Sequence, residues 1–147
     1  LRAAQTGVFL RRQAEQIPDA IFLAERQKGG DSVAWDRRSY GSIRRDVDAA
    51  SQWLIDHGAD GTRPVAILSQ NSIRNAILQL AAMQIGVPVL ALSPAYSLVS
   101  KDHRKLIGLI ERFAPSHIFV EDTQPFAAAL NRLAGLDGRL IAGASSG

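Results

Sequence analysis

Cysteine is absent from the 147 residues, which removes disulfides, thiolate metal sites and a cysteine nucleophile together. That absence fits a reducing compartment, and a cytoplasmic protein is the default expectation. Aromatic residues make up only 6% of the chain. No apolar run approaches the roughly 20 residues that a membrane-spanning helix needs, and the opening LRAAQTGVFLRRQAEQ lacks the long apolar core of a signal peptide. A strong excess of one charge is missing too: 17 Lys and Arg stand against 14 Asp and Glu. The arginines are scattered, as on a solvated surface rather than a nucleic-acid or membrane patch. With neither a basic stripe nor stacking aromatics, a nucleic-acid binder is disfavoured.

What is present is globular material, 46% hydrophobic and 21% charged, and enough of it for one domain with a core. Residues 5–16 read as an amphipathic helix with Val8, Leu10 and Ala14 among Arg and Gln, closed before Pro18. IFLAER and VAWDR read as strands joined by a turn at Gly29-Gly30-Asp31. Tyr40-Gly41 opens a helix whose apolar face is Ile43, Val47, Ala50 and Leu54, with Gly58 as its stop.

From residue 64 the texture changes. PVAIL is a continuous apolar run, as expected of a strand covered on both faces. Residues 72–85 read as a helix apolar almost all round, ended by Gly86, and VLAL as a second buried strand. Ser100 is placed to cap a helix with a core face of Leu106, Leu109, Ile110 and Phe113, followed by Pro115. HIFV is a third buried strand. Thr123 is placed to cap a helix through Phe126, Leu130 and Leu133, and RLIA is a fourth strand. The expected fold is α/β: a mostly parallel sheet with helices on both faces, plus an N-terminal helix and β-hairpin. A single subdomain spans 1–147, divided into helix and hairpin at 1–39, βα repeats at 40–142 and a frayed end at 143–147.

Few residues offer chemistry. His57 is expected near a helix C-terminus, His103 in a helix first turn and His117 at the start of a buried strand, none at metal-ligand spacing with a partner. Glu121-Asp122 follows a strand, where carboxylates bind a ribose or a metal, or more commonly solvate the loop and favour the next helix. Ser69-Gln70-Asn71-Ser72 stands where doubly wound sheets collect ligands, yet it has no glycine for a dinucleotide loop. Its plainer role is an N-cap by Asn71 or Ser69. Ser93-Pro94-Ala95-Tyr96-Ser97 is either a pocket wall or a tyrosine sealing the core. Gly143-Ala144-Ser145-Ser146-Gly147 imitates a phosphate loop without its lysine. No residue is assigned as catalytic, cofactor-binding or metal-binding.

Several segments resemble one family in order. RRSYGSIRRDVDAASQWLIDHG, GTRPVAILSQNS and LAAMQIGVPVLALSPAYS, preceded by IPDAIFLAER, are similar to the opening of the adenylate-forming acyl/aryl-CoA ligases, from about Gln13 to Leu140. SPAYSLVSKDHRKL resembles the feruloyl-CoA synthetase branch. The resemblance implies an ATP-dependent enzyme that turns an acyl or aryl carboxylate, ferulate or a relative, into an acyl-adenylate and then a CoA thioester. ATP, Mg²⁺ and CoA are expected for the full-length enzyme and none for these residues alone. The family's phosphate loop, ribose-binding Asp and catalytic Lys have no counterpart, so Tyr40, Gly86 and Pro94 are expected to be scaffold. The ends, Leu1 without Met and a glycine-rich finish, look cut, and lacking those family motifs the chain is expected to be an inactive N-terminal fragment. Its partners would be the rest of its own polypeptide and, through uncovered apolar surface, further copies of itself. A stand-alone flavodoxin-like binding or interaction module is the alternative.

Overall fold

In the computed structural model, residues 6–27, 34–95, 103–133 and 140–142 are described. The elements follow in the order α1 (Thr6–Gln16), β1 (Ile21–Arg26), β2 (Trp35–Ser39), α2 (Tyr40–Asp56), β3 (Val65–Leu68), α3 (Ile73–Gln84), β4 (Val89–Ala91), α4 (Arg104–Phe113), β5 (His117–Val120), α5 (Thr123–Arg132) and β6 (Leu140–Ala142). β1 and β2 pair antiparallel as a separate two-stranded sheet. The Gly29-Gly30-Asp31 turn expected between them lies outside the described residues, as do Ser100 and the 143–147 tail. The other strands form a four-stranded parallel sheet in the order β4-β3-β5-β6.

The continuous apolar runs become the middle of that sheet. All four residues of β3 and all four of β5 are buried. Side chains alternate across a strand, so Val65 and Ile67 enter one core with Phe119, while Ala66 and Leu68 enter another with Ile118 and Val120. Leu10 of α1, Ile43, Val47 and Leu54 of α2, and Leu78, Ala81 and Ala82 of α3 complete the first core. Leu106 and Ile110 of α4, with Phe126 and Ala129 of α5, complete the second. Each layer of helices therefore covers one face, as the alternation of strands and helices predicts.

Several expectations need correction. VLAL is an edge strand: β4 pairs only with β3 among the described residues, and its residues are half-buried or exposed. Leu92, just beyond it, is the buried one, its amide bonded to the Ile67 carbonyl at 3.1 Å. Val8 is 54% exposed, and Gly7 turns inward in its place; a Cβ on Gly7 would stand 3.3 Å from Gln84 Oε1. Ser51 is more deeply buried than Ala50, because its hydroxyl donates to the Ala81 carbonyl at 3.2 Å and so ties α2 to α3. Phe113, at the end of α4, is largely exposed. α3 is not covered all round: Arg74 and Met83 face outward. Ser39, Ser72 and Asp122 cap α2, α3 and α5, accepting from Ser42, Asn75 and Gln124 amides. Thr123, expected as a cap, is the first helical residue instead.

Charge dresses the α1–α2 surface. Arg44 reaches Glu15 at 3.4 Å and Asp48 at 3.5 Å, and Arg38 engages Asp46. Such partly exposed pairs are worth a few tenths of a kcal/mol each, so the two cores carry the fold.

Two turns meet at the amino end of the sheet. Gly86 closes α3 at φ 76° and Gly61 precedes β3 at φ 82°; both need the left-handed region. A Cβ on Gly86 would meet open space, whereas one on Gly61 would stand 3.1 Å from the Gly86 carbonyl oxygen. Gly86→Ala is expected to cost about 1 kcal/mol through backbone strain alone, and Gly61→Ala more, since a second turn must also give way. Denaturant midpoints of the two variants check this; the reverse order would show that the contact does not matter.

Candidate functional site

In the four-stranded sheet, β3 leads through α3 to β4 on one side, and the chain returns through α4 to β5 on the other side of β3. The connections leaving β3 and β5 thus part toward opposite faces. In an open parallel sheet the usual place for a ligand is a crevice outside the carboxyl ends of two such strands. Here that place is flanked by Ser69-Gln70-Asn71-Ser72 after β3 and Glu121-Asp122 after β5.

The walls are joined. Ser69, 5% exposed, places its Oγ 2.7 Å from Glu121 Oε2 and 2.9 Å from the Gln70 carbonyl. One hydroxyl hydrogen cannot serve both acceptors fully. The carboxylate is the stronger claimant, and the Gln70 carbonyl has a second donor in Asn75 Nδ2 at 3.1 Å. Asn75 Oδ1 in turn accepts from Gln79 Nε2 at 2.7 Å. Polar bonds therefore tie Gln79 and Asn75 of α3 to the Gln70 carbonyl, and Ser69, next to it in the chain, to the end of β5. Ser69 is a donor in this network and not the helix cap that the sequence suggested.

The positive end of α3 is already satisfied. Ser72 Oγ accepts from the Asn75 amide at 3.0 Å, and Glu25 of β1 accepts from the Ile73 amide at 2.9 Å. A carboxylate suits this position through the helix dipole. It also occupies the spot where a phosphate would otherwise bind. A shallow pocket of ≈ 200 Å³ lies beside it, lined by Leu23, Ala24, Glu25, Asn71, Ser72, Ile73 and Ala76. Glu25 could not be picked out from the sequence, because its partner lies 48 residues away.

The remaining candidates disperse. Asp122 serves as a cap, accepting from the Gln124 amide at 3.0 Å. Ser93 Oγ accepts from the Ala95 amide at 3.4 Å; Tyr96 and Ser97 lie outside the described residues. His103 is not in a helix turn: it is buried just before α4 at φ 52°. His57 and His117 do come together, but at the opposite, amino end of the strands. His117 is buried at the start of β5, and desolvation holds its imidazole below the ordinary histidine pKa of 6.5 despite a hydrogen bond to the His57 backbone. Among the described residues no group of three or more His, Asp or Glu is placed to hold a metal ion, and no helix is long and apolar enough to cross a membrane.

The comparisons with known proteins agree with this geometry. No protein of curated function matches the chain in sequence. Among solved structures, a putative long-chain-fatty-acid CoA ligase from Rhodopseudomonas palustris CGA009 superposes with a TM-score of 0.75 at 21% identity, over 99% of this chain and 34% of that one. The luciferase-like enzyme from the nonluminescent mealworm Zophobas morio gives 0.73 at 26% identity, over 97% and 32%. The fatty acyl-adenylate ligase from L. pneumophila, solved with acyl adenylate and pyrophosphate, gives 0.75 at 15% identity, over 96% and 23%. The chain therefore spans about a third or less of the proteins that it resembles, and it matches the N-terminal subdomain of adenylate-forming enzymes. The family described as AMP-binding enzyme matches residues 10–140, and with most of its length so covered the chain belongs to that family.

Proposed function

We propose that these residues are the N-terminal scaffold of an ATP-dependent carboxylic acid–CoA ligase. In the reaction of such an enzyme, a carboxylate oxygen attacks the α-phosphorus of ATP, giving an acyl-adenylate and pyrophosphate; the CoA thiol then displaces AMP to leave a thioester. The observation that carries the reading is the family match over residues 10–140. The crevice supports the division of labour. Its described walls offer hydroxyls, amides and the Glu121 and Asp122 carboxylates, which repel a triphosphate, and the α3 end is taken by Glu25. The residues described do not suit ATP, Mg²⁺ or CoA, whose binding falls to the rest of the full-length enzyme. The Ser69–Glu121 bond acts as a pin that holds one wall of the larger site.

The substrate is read as an aryl acid, ferulate or a relative, on the likeness of residues 93–106 to the feruloyl-CoA branch. The partner is the remainder of the same polypeptide, and the setting is cytoplasmic. Exposed Phe9, Ile21, Trp35 and Ile55 support self-association of the isolated chain.

The isolated 147-residue chain, given ATP, Mg²⁺, ferulate and hydroxylamine, is expected to release no pyrophosphate and form no hydroxamate above background; adenylate formation would sink the scaffold reading. The complete polypeptide is expected to form the CoA thioester with ferulate faster than with fatty acids, and a fatty-acid preference would remove the aryl assignment while leaving the ligase. Ser69→Ala and Glu121→Gln, combined in a double-mutant cycle of unfolding, are expected to show a coupling of about 1 kcal/mol; additive effects would mean that the pin is not formed. Light scattering of the isolated chain is expected to show mass rising with concentration, and a constant monomer mass would count against self-association.

A further inference from the structure

The amino ends of β3 and β5 carry a cluster that the proposed chemistry does not use. Trp53, in the last turn of α2, stacks on His57 with ring centroids 3.8 Å apart and planes 16° from parallel. His117 meets the same indole edge to face at 5.8 Å. The Trp53–His57 pair is at the surface, with Trp53 39% exposed, whereas His117 is 7% exposed. His57 Nδ1 lies 2.8 Å from the Trp53 carbonyl. A carbonyl only accepts, so that nitrogen keeps its hydrogen in either charge state of the ring.

His117 is bonded so that both of its charge states are served. Its Nδ1 lies 3.1 Å from Ser116 Oγ, which itself lies 3.4 Å from the Pro64 carbonyl. With a neutral imidazole the serine hydroxyl donates to Nδ1. With a proton on Nδ1 the direction reverses: the ring donates to Ser116 Oγ, and the hydroxyl turns to Pro64. No donor is orphaned in either state, so electrostatics decides between them. Burial opposes a charge on His117 most; the hydrogen bond to the His57 backbone at the end of α2 favours it, and the His57 ring and Arg63, in the turn before β3, oppose it electrostatically. The carboxylate on that turn, Asp60, is engaged by Thr62 through its hydroxyl at 2.7 Å and its amide at 2.9 Å. At the end of α4, Arg112 lies over the Phe113 ring.

We infer that Trp53, His57 and His117 form a proton-operated clasp, which fastens the end of α2 to the sheet and releases at mildly acidic pH. The neutral imidazole is the form that the folded state prefers, because burial, with Arg63 nearby, disfavours the charged form more than the bond to the His57 backbone favours it. A histidine depressed in the folded state contributes stability that is fully present above its unfolded value of 6.5 and is lost as pH falls through and below it. The strain has a local outlet. The exposed Trp53–His57 pair swings outward and admits water to His117, while β3 and α3 stay packed. The opening is confined to the last turn, where the His57 and Gly58 amides bond to Trp53 and Ile55, while Leu54 and Ala59 stay in the first core.

Hydrogen exchange with mass spectrometry on the full protein tests the clasp at about pH 7.5, 6.5 and 5.5, with intrinsic rates corrected. Peptides covering residues 50–60 are expected to lose protection about threefold or more at the acidic end, while peptides of α3 keep theirs. Exchange at the imidazole carbon, read in the same spectra, is expected to give His117 a midpoint below 6.5. His117→Gln is expected to abolish the pH response at residues 50–60, and His57→Gln to raise the His117 midpoint by removing the electrostatic opposition of the His57 ring. A His117 midpoint at or above the ordinary value overturns the inference. So does equal loss of protection in α3, which would mean global unfolding, or a response that persists in His117→Gln. Should His117→Gln fail to fold, the titration and peptide map of the unaltered protein still decide.

Discussion

Everything in this chain is arranged around a strand that has no face left for water. Val65–Leu68 is buried on both sides, so its amides and carbonyls can be satisfied only by neighbouring strands. Parallel partners in register on each edge supply them: Val65 stands opposite Val89 on one side and His117 on the other. The same constraint sends alternate side chains into two separate cores, each of which needs its own helices. Placing α1, α2 and α3 on one face and α4 and α5 on the other follows from that division. The crevice follows as well, since the chain must leave β3 and β5 toward opposite faces.

The parts of the fold that were legible in the sequence are those set by local chemistry. VAIL and HIFV read as buried strands because only doubly covered strands tolerate such runs. Gly58 and Gly86 marked helix ends and have positive φ. The rest depended on tertiary position. VLAL has nearly the composition of VAIL, but its place in the sheet, with one paired edge, left it half-buried. Val8 looked like a core residue until α1 met α3 through Gly7, where no side chain fits comfortably. Ser69, Asn71, Ser72 and Thr123 were all chemically able to cap a helix. Backbone geometry chose Ser72 for α3 and Asp122 for α5.

The site was legible only as a place. The loop after β3 and the carboxylates after β5 were recognisable as the ends of parallel strands, where ligands gather. That they touch through Ser69 and Glu121, across 52 residues of chain, could not be read from either segment. The same holds for Glu25 at the end of α3. Both contacts use carboxylates to satisfy the chain's own donors, which explains why a region so well placed for a phosphate is so poorly charged for one. It also accords with a family whose members share this fold at 14–26% identity: what is held in common is the frame.

β5 is short, four residues from His117 to Val120. At about 3.3 Å per residue it is a rod of roughly 10 Å between its end Cα atoms. One end carries the imidazole that abuts the tryptophan; the other passes directly into Glu121, pinned to Ser69. Packed on both faces and paired along both edges, the rod sets the span between the two ends of the sheet, so that features of quite different chemistry are held a fixed distance apart.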